Sequence, residues 1–141
     1  MNTRDIVEEL KKKCGSKATR TQKAILTIFE KNHLPLTESE LQAKLSKSDI
    51  VVNKTTVYRQ LAHLKEHDFI KEIDFGDGKK RFELNSNDRH HHHLVCTNCK
   101  MVDDIKIDND VISIERAISK ARNFKIMHHS LEFFGLCKNC K

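Results

Sequence analysis

The chain has 141 residues, which is room for one ordinary domain or two small ones. Its composition is 38% hydrophobic with one Pro, four Gly and no Trp, which is not the composition of a disordered protein. No apolar run approaches the ~18 residues that a membrane-spanning helix needs, and the N-terminal residues are charged, so we expect a cytoplasmic protein. The formal net charge of +6 lies mostly in residues 1–67, which have 13 Lys and Arg against 8 Asp and Glu, whereas residues 68–141 have 13 against 12. A basic half favours nucleic acid as a partner, although a solvated basic surface would give the same count.

The first helix is predicted from apolar residues that recur on one helical face and stop before Gly15; these residues are Ile6, Val7, Leu10 and Cys14. We interpret Cys14 as a buried small residue, because no ligand partner stands near it in the sequence. A reactive thiol is the alternative.

Two further helices are predicted from their N-caps. Thr19 is a good cap for a helix that ends before Pro35. Thr37 and Glu40 have the spacing of a capping box, which predicts a short third helix that runs to about Leu45.

A fourth helix is predicted from a cap at Asn53 to about His67, with an apolar stripe of Val57, Leu61 and Leu64. The opposite face of its first two turns offers hydroxyls, an aromatic ring, an amide and cations, which is the mixture that contacts phosphates and base edges in a major groove. These side chains are Lys54, Thr55, Thr56, Tyr58, Arg59 and Gln60. For Tyr58, packing within the helix layer is the alternative to a base contact.

Apolar residues alternate or cluster in residues 69–75 and 80–85, on either side of Gly76-Asp77-Gly78, and this pattern predicts a β-hairpin. Helices followed by a hairpin predict a winged helix-turn-helix, in which the helix beginning after Asn53 reads DNA and the hairpin is the wing.

The last third of the chain predicts a small α/β domain. Short strands are expected at residues 94–95, 101–107, 125–127 and 131–136, and an amphipathic helix is expected around residues 111–121. One helix on a small sheet leaves a sheet edge and an apolar face that need cover, which favours a homodimer.

Two Cys-x-x-Cys pairs stand in this region, Cys96 with Cys99 and Cys137 with Cys140. Thiols stay reduced in the cytoplasm, so four paired cysteines favour one tetrahedral structural Zn²⁺, with a thiol redox switch as the alternative. The run from His90 to His93 offers borderline donors for an exchangeable divalent ion. An idle, hydrated histidine tract is the competing interpretation.

Three segments together carry a resemblance that covers nearly the whole chain: residues 56–59 (Thr-Val-Tyr-Arg), residues 90–99, and residues 129–137. In this order they resemble the ferric uptake regulator family of bacterial metal-responsive repressors. The resemblance implies an α+β protein with a winged helix-turn-helix domain at residues 1–84 and a hinge at residues 85–90. It implies a small C-terminal α/β metal-binding and dimerisation domain at residues 91–141, with a four-cysteine zinc site.

The resemblance also implies three sets of metal ligands. The structural zinc ligands would be Cys96, Cys99, Cys137 and Cys140. The regulatory ion, Fe²⁺, Zn²⁺ or Mn²⁺, would take His33, Glu83, His91, His93 and Asp104. A further, weaker site would draw on His90, His92, Asp110, Glu115 and His129.

The implied function is a metal-dependent transcriptional repressor that senses iron, or zinc or manganese, and binds a palindromic double-stranded operator as a homodimer. Its DNA contacts would come from Lys17, Lys54, Thr55, Thr56, Tyr58 and Arg59. The alternatives are a peroxide-sensing regulator of the same family and a winged-helix protein whose zinc is purely structural. We expect no enzyme, because no motif pairs a nucleophile with a base. Because histidine ligands must be deprotonated, we expect operator affinity to fall as the pH approaches about 6.

Overall fold

The computed structural model describes residues 2–85, 91–107 and 110–141, and only the backbone of residue 110. The chain divides into two units, Met1–Asp88 and Arg89–Lys141. Most of the predicted hinge, residues 86–90 of 85–90, lies outside the described residues.

Unit 1 begins with four helices: α1 (Thr3–Cys14), α2 (Arg20–Lys31), α3 (Glu38–Lys47) and α4 (Lys54–Glu66). The predicted N-caps Thr19, Thr37 and Asn53 are confirmed, since each side chain accepts a hydrogen bond from a backbone N–H of the first turn. Gly15 ends α1 in the left-handed conformation, with φ of 66°, which a glycine adopts without strain.

A three-stranded antiparallel sheet completes unit 1. It comprises β1 (Leu36–Thr37), β2 (Ile70–Asp74) and β3 (Lys80–Leu84) in the order β1-β3-β2. The predicted hairpin is confirmed, and its turn is held by two hydrogen bonds of 2.9 and 2.7 Å from the Arg81 guanidinium to the Asp77 carboxylate. The two-residue β1 was not predicted, because so short a segment has no periodicity of its own.

The core of unit 1 lies between the helices and the hairpin. Its fully buried side chains come from all four helices and β2, and they are Leu10, Ile25, Leu26, Phe29, Leu41, Leu45, Val57, Leu61, Leu64 and Ile70. Burial of the α4 stripe against this core leaves the polar face of the same helix directed outward.

Unit 2 contains β4 (His92–Cys96), β5 (Val102–Ile105), α5 (Asp110–Arg122) and β6 (Glu132–Gly135). The strand order is β5-β4-β6, with β5 antiparallel and β6 parallel to β4. The predicted strand at residues 125–127 is wrong. β5 and β6 lie on opposite edges of β4, so the chain must cross the sheet between them, and residues 124–131 complete this crossover after α5 without strand pairing.

Large apolar side chains are exposed along α5, the crossover and β6. They are Ile112, Ile114, Ile118, Phe124, Met127, Phe133, Phe134 and Leu136. Within the described residues, no helix combines the length and apolar character needed to cross a membrane.

Candidate metal centres and nucleic-acid interface

The two Cys-x-x-Cys pairs of unit 2 meet where β4 and β6 end. All four sulfurs lie within 4.8 Å of one another, and Cys99 Sγ is 3.7 Å from Cys137 Sγ, too far for a disulfide. Parallel pairing of β4 with β6 brings the two turns together. The pairing continues past the end of β4, where Thr97 donates its backbone N–H to the Gly135 carbonyl at 2.8 Å.

The electrostatics of this cluster favour a bound cation. Hydrogen bonds from the backbone N–H groups of Cys137 and Cys99 lower the pKa of Cys96 to about 6. The backbone N–H of Met101 favours the Cys99 thiolate, but the sulfur of Cys96, burial and the other two sulfurs outweigh it and raise the pKa of Cys99 to about 11. Four thiolates at this spacing therefore need a positive charge between them. The donor set fits a structural Zn²⁺.

A second group of donors lies on one face of the β4–β5 pair. His91 and His93 are two residues apart, so they point to the same side, and their ring centroids are 5.0 Å apart. Asp104 is the cross-strand partner of His93, and its Oδ1 lies 4.0 Å from Nε2 of His91. That oxygen is buried and, among the described residues, has no hydrogen-bond partner, which is an arrangement that a cation would satisfy.

The opposite face of β4 carries a third group. The ring of His92 lies 5.3 Å from the ring of His129, and His129 Nδ1 is 2.8 Å from Oε1 of Glu115 on α5. The other two residues expected here, His90 and the side chain of Asp110, lie outside the described part of the chain.

The remaining ligand candidates, Glu83 and His33, belong to unit 1. Glu83 is buried in β3, and its carboxylate is 2.8 Å from Nζ of its cross-strand partner Lys71. Sequence reasoning missed Lys71, although counting outward from the turn at residues 76–78 would have paired it with Glu83. His33 is exposed between α2 and β1. Because Leu36 pairs antiparallel with Phe82, the chain before β1 runs beside the end of β3 that carries Glu83.

Five of the six expected DNA-contacting residues lie on α4. Lys54, Thr55, Tyr58 and Arg59 are exposed, Tyr58 by 51%, whereas Thr56 is half-buried. Lys17 is also exposed, in the loop before α2. An exposed aromatic hydroxyl beside cations and a threonine hydroxyl suits contact with phosphates and bases of a nucleic acid.

A winged helix that presents a polar and cationic helix face, joined in sequence to a unit with a four-cysteine centre, defines a DNA-binding regulator with bound metal. The model of the ferric uptake regulator family matches residues 13–134. The chain belongs to that family and is a metal-responsive regulator.

Individual relatives agree with this assignment. The chain is 34% identical to the ferric uptake regulation protein of Bordetella parapertussis over 92% of this chain and 93% of that protein. It is 28% identical to the peroxide-responsive repressor PerR of Staphylococcus aureus over 92% of this chain and 86% of that protein. Among solved structures, the ferric uptake regulator of Vibrio cholerae superposes with a TM-score of 0.76 at 30% identity, covering 92% of this chain and 98% of that one.

Proposed function

We propose that this protein is a repressor that binds a palindromic DNA operator as a homodimer when its regulatory site holds a divalent metal. Iron is the first choice of metal, and zinc or manganese is the alternative. The observation that carries the proposal is the group of His91, His93 and Asp104 on one sheet face, with a buried carboxylate oxygen that has no hydrogen-bond partner among the described residues.

We infer that Glu83 and His33 of unit 1 complete the ligand set of His91, His93 and Asp104. Imidazole nitrogens with hard carboxylate oxygens suit Fe²⁺, Mn²⁺ or Zn²⁺ better than a purely sulfur site does. When bound, the ion supplies a positive charge that attracts donors from both units. Residues of unit 1 and unit 2 then share one centre, and the angle between the units is restricted.

This restriction explains why metal and DNA would favour each other. A homodimer presents two α4 helices, and only some arrangements match the spacing of two half-sites on the double helix. Ligands drawn from both units raise the population of one arrangement, which gives a coupling of about 1–3 kcal/mol between metal and operator.

The second copy is expected to cover the apolar surface of unit 2. Ile114 and Ile118 lie one turn apart on α5 and are exposed by 56% and 44%, and Phe134 on β6 is exposed by 54%. An apolar surface of this kind on a regulator supports a symmetric dimer, and the two-fold axis of the dimer accounts for a palindromic operator.

The test is operator binding at fixed zinc content. A duplex enriched from a random library by the Mn²⁺-loaded protein serves as the operator, and fluorescence anisotropy is measured with and without Mn²⁺, Zn²⁺ or anaerobic Fe²⁺. We expect affinity to rise about 5- to 150-fold with metal. The variant His93→Ala should keep its cysteine-bound zinc and lose this rise. Metal-independent affinity of the zinc-loaded protein would instead support a winged helix whose zinc is structural only.

Peroxide sensing is a second candidate, because the relatives include a peroxide-responsive repressor. Such a sensor would add oxygen to a metal-bound histidine, such as His91. The family resemblance implies Asp rather than Glu at the position of Glu83 in peroxide sensors, which favours metal sensing here. Mass spectrometry of the Fe²⁺-loaded protein after peroxide treatment separates the two, since a metal sensor should leave His91 unmodified while it still binds its operator.

A further inference from the structure

The C-terminal ends of α1 and α4 bring together three ligand groups that belong to none of the sites described above. Cys14 is the last residue of α1, His63 lies in the last turn of α4, and His67 caps that helix. One donor atom from each side chain lies within 4.8 Å of the other two, and all three residues are half-buried. Cys14 packs partly buried against the core of unit 1, as expected, and it also lies beside two ligand groups 49 and 53 positions away in the chain.

The backbone on both sides of this cluster is fixed. Gly15 donates its N–H to Lys11 O at 3.0 Å and ends α1 directly after Cys14. His67 donates its N–H to His63 O at 3.3 Å, so the two histidines are one helical turn apart on one face, with ring centroids 4.6 Å apart. Histidines at i and i+4 on a helix have the spacing of a pair of metal ligands.

The two helix ends also supply a favourable field. Unsatisfied carbonyls give the C-terminus of a helix a partial negative charge, and here two C-termini converge. Lys13 already uses this field, because its Nζ lies 3.5 Å from His67 O and 5.0 Å from the Phe69 ring centroid. Its charge opposes a metal ion, but Lys13 also pairs with Glu9 at 3.3 Å and is 46% exposed, so its ammonium can move into solvent.

We propose that Cys14, His63 and His67 form a metal site within unit 1, with Zn²⁺ as the preferred ion and water as the fourth ligand. A thiolate and two imidazoles suit Zn²⁺ in a tetrahedral site. Zn–S of about 2.3 Å and Zn–N of about 2.1 Å place the ligand atoms about 3.5 Å apart. The present separations of up to 4.8 Å require a shift of about 1 Å, which side-chain rotation can supply.

Occupation of this site would join α1 to the helix that carries Tyr58 and Arg59. The ion would lie at the opposite end of α4 from its N-terminal turn, so it would act on the stability of unit 1 rather than by touching DNA. A donor set with one thiolate and one open position is weaker than the four-cysteine centre. It should fill only when free zinc is high and exchange while the four-cysteine centre stays loaded.

Cobalt is the probe, because a thiolate ligand gives Co²⁺ a charge-transfer band in the near ultraviolet that nitrogen and oxygen ligands do not give. Co²⁺ is added to full-length protein with one zinc per protomer in the four-cysteine centre, under anaerobic and reducing conditions, and released zinc is measured with a chromophoric chelator. We expect the thiolate band to appear without release of zinc and the melting temperature to rise.

Variants assign the band to its ligands. Cys14→Ser should abolish it, and His67→Gln should weaken the affinity for Co²⁺ by at least about tenfold, since even residues that only orient ligands contribute that much. His91→Ala is the matched control and should keep the band. Far-UV circular dichroism verifies that each variant is folded. If Cys14→Ser does not fold, His67→Gln still tests the site. A band that is absent from the wild type, that survives Cys14→Ser, or that appears only as zinc is released would overturn the proposal.

Discussion

Lys71 and Glu83 face each other across the β2–β3 hairpin, with Nζ and the carboxylate 2.8 Å apart. The Glu83 side chain is buried, whereas that of Lys71 is 42% exposed. Glu83, one of the two residues of unit 1 proposed to bind the regulatory ion, is therefore already neutralised by a lysine. Binding of a metal through Glu83 must compete with this ammonium.

Replacement of Lys71 by Met should therefore strengthen metal binding at the regulatory site. An ion pair with one solvent-exposed partner contributes up to about 1 kcal/mol, and a metal bound by Glu83 no longer has to displace it in the variant. This corresponds to at most about a fivefold gain in affinity for the metal. Calorimetric titration of the zinc-loaded variant with Mn²⁺ measures the gain. Lys80→Met is the matched control, because Lys80 pairs with Glu72 at 3.0 Å in the same hairpin and should leave Mn²⁺ affinity unchanged. Equal or weaker affinity in Lys71→Met would argue against Glu83 as a ligand.

Loss of one thiolate from the four-cysteine centre should unfold unit 2. A structural zinc contributes an apparent ~10–16 kcal/mol to the fold that holds it, which exceeds the stability of an ordinary small domain. We expect Cys140→Ser to be purified with close to no zinc and to lose the helical signal of α5, while the helices of unit 1 persist. Asn139→Ser changes an exposed residue of the same turn and should retain zinc. Zinc analysis with circular dichroism gives the answer, and a folded, zinc-free Cys140→Ser would contradict it.

The group of His92, His129 and Glu115 should bind a metal independently of the His91 face, because strand alternation places the two groups on opposite sides of β4. His129→Ala should lower by one the number of Mn²⁺ ions that the zinc-loaded protein binds, or lower the affinity for that ion by at least about tenfold. His128→Ala is the control, since His128 is the neighbouring residue in the chain and its side chain is exposed. Equilibrium dialysis counts the ions. An unchanged count in His129→Ala would mean that the 2.8 Å contact to Glu115 is an ordinary hydrogen bond.

The parts of the fold that could be predicted are those encoded locally. N-caps such as Thr19 and Asn53 act within one helical turn, and the hairpin is specified by Gly76 and Gly78, which both adopt φ of 76°. The parallel partnership of β6 with β4 has no local signal. Residues 125–127, of which Ile126 and Met127 are apolar, therefore predict a strand although they lie in the connection that leads to β6.

The same distinction applies to the sites. The spacing of Cys96 with Cys99 indicates a metal ligand pair, because both residues lie in one turn. The contact of Glu115 with His129 and the cluster around Cys14 depend on helix packing that joins residues far apart in the chain. Such contacts become visible only when the elements are placed in space.

The Asp77–Arg81 pair in the wing should make stability depend on pH in one direction. Hydrogen bonds from Arg81 hold the pKa of Asp77 well below its ordinary value. A carboxyl group with a depressed pKa in the folded state adds stability that is complete above its unfolded pKa, near 4, and is lost as the pH falls through the lower folded value. Asp77→Asn should therefore unfold at a lower urea concentration than the wild type at pH 7. The difference between the two urea midpoints should be smaller at pH 3. Asp74→Asn is the control in the same hairpin. A gap that stays constant from pH 7 to pH 3 would mean that the effect of Asp77 is not ionic.

The expected DNA-contacting residues should separate into one that reads bases, on α4, and one that contacts the DNA backbone, in the loop before α2. Arg59 is proposed to contact base edges, so Arg59→Ala should weaken binding to the selected operator by about 1–3 kcal/mol, or about 5- to 150-fold, with little effect on unrelated DNA. Lys17 lies outside the reading helix and carries a cation, so we expect it to contact the DNA backbone; Lys17→Gln should weaken binding to both DNAs alike and reduce the slope of log affinity against log salt by about one. Lys120→Gln removes the same charge from α5 in unit 2 and should change neither slope nor specificity. Anisotropy titrations between 50 and 200 mM salt, roughly the range over which phosphate contacts are resolved, provide both quantities.

If Arg59→Ala behaves like Lys17→Gln, the reading role passes to Tyr58 and its neighbours, because a purely electrostatic Arg59 carries no sequence information.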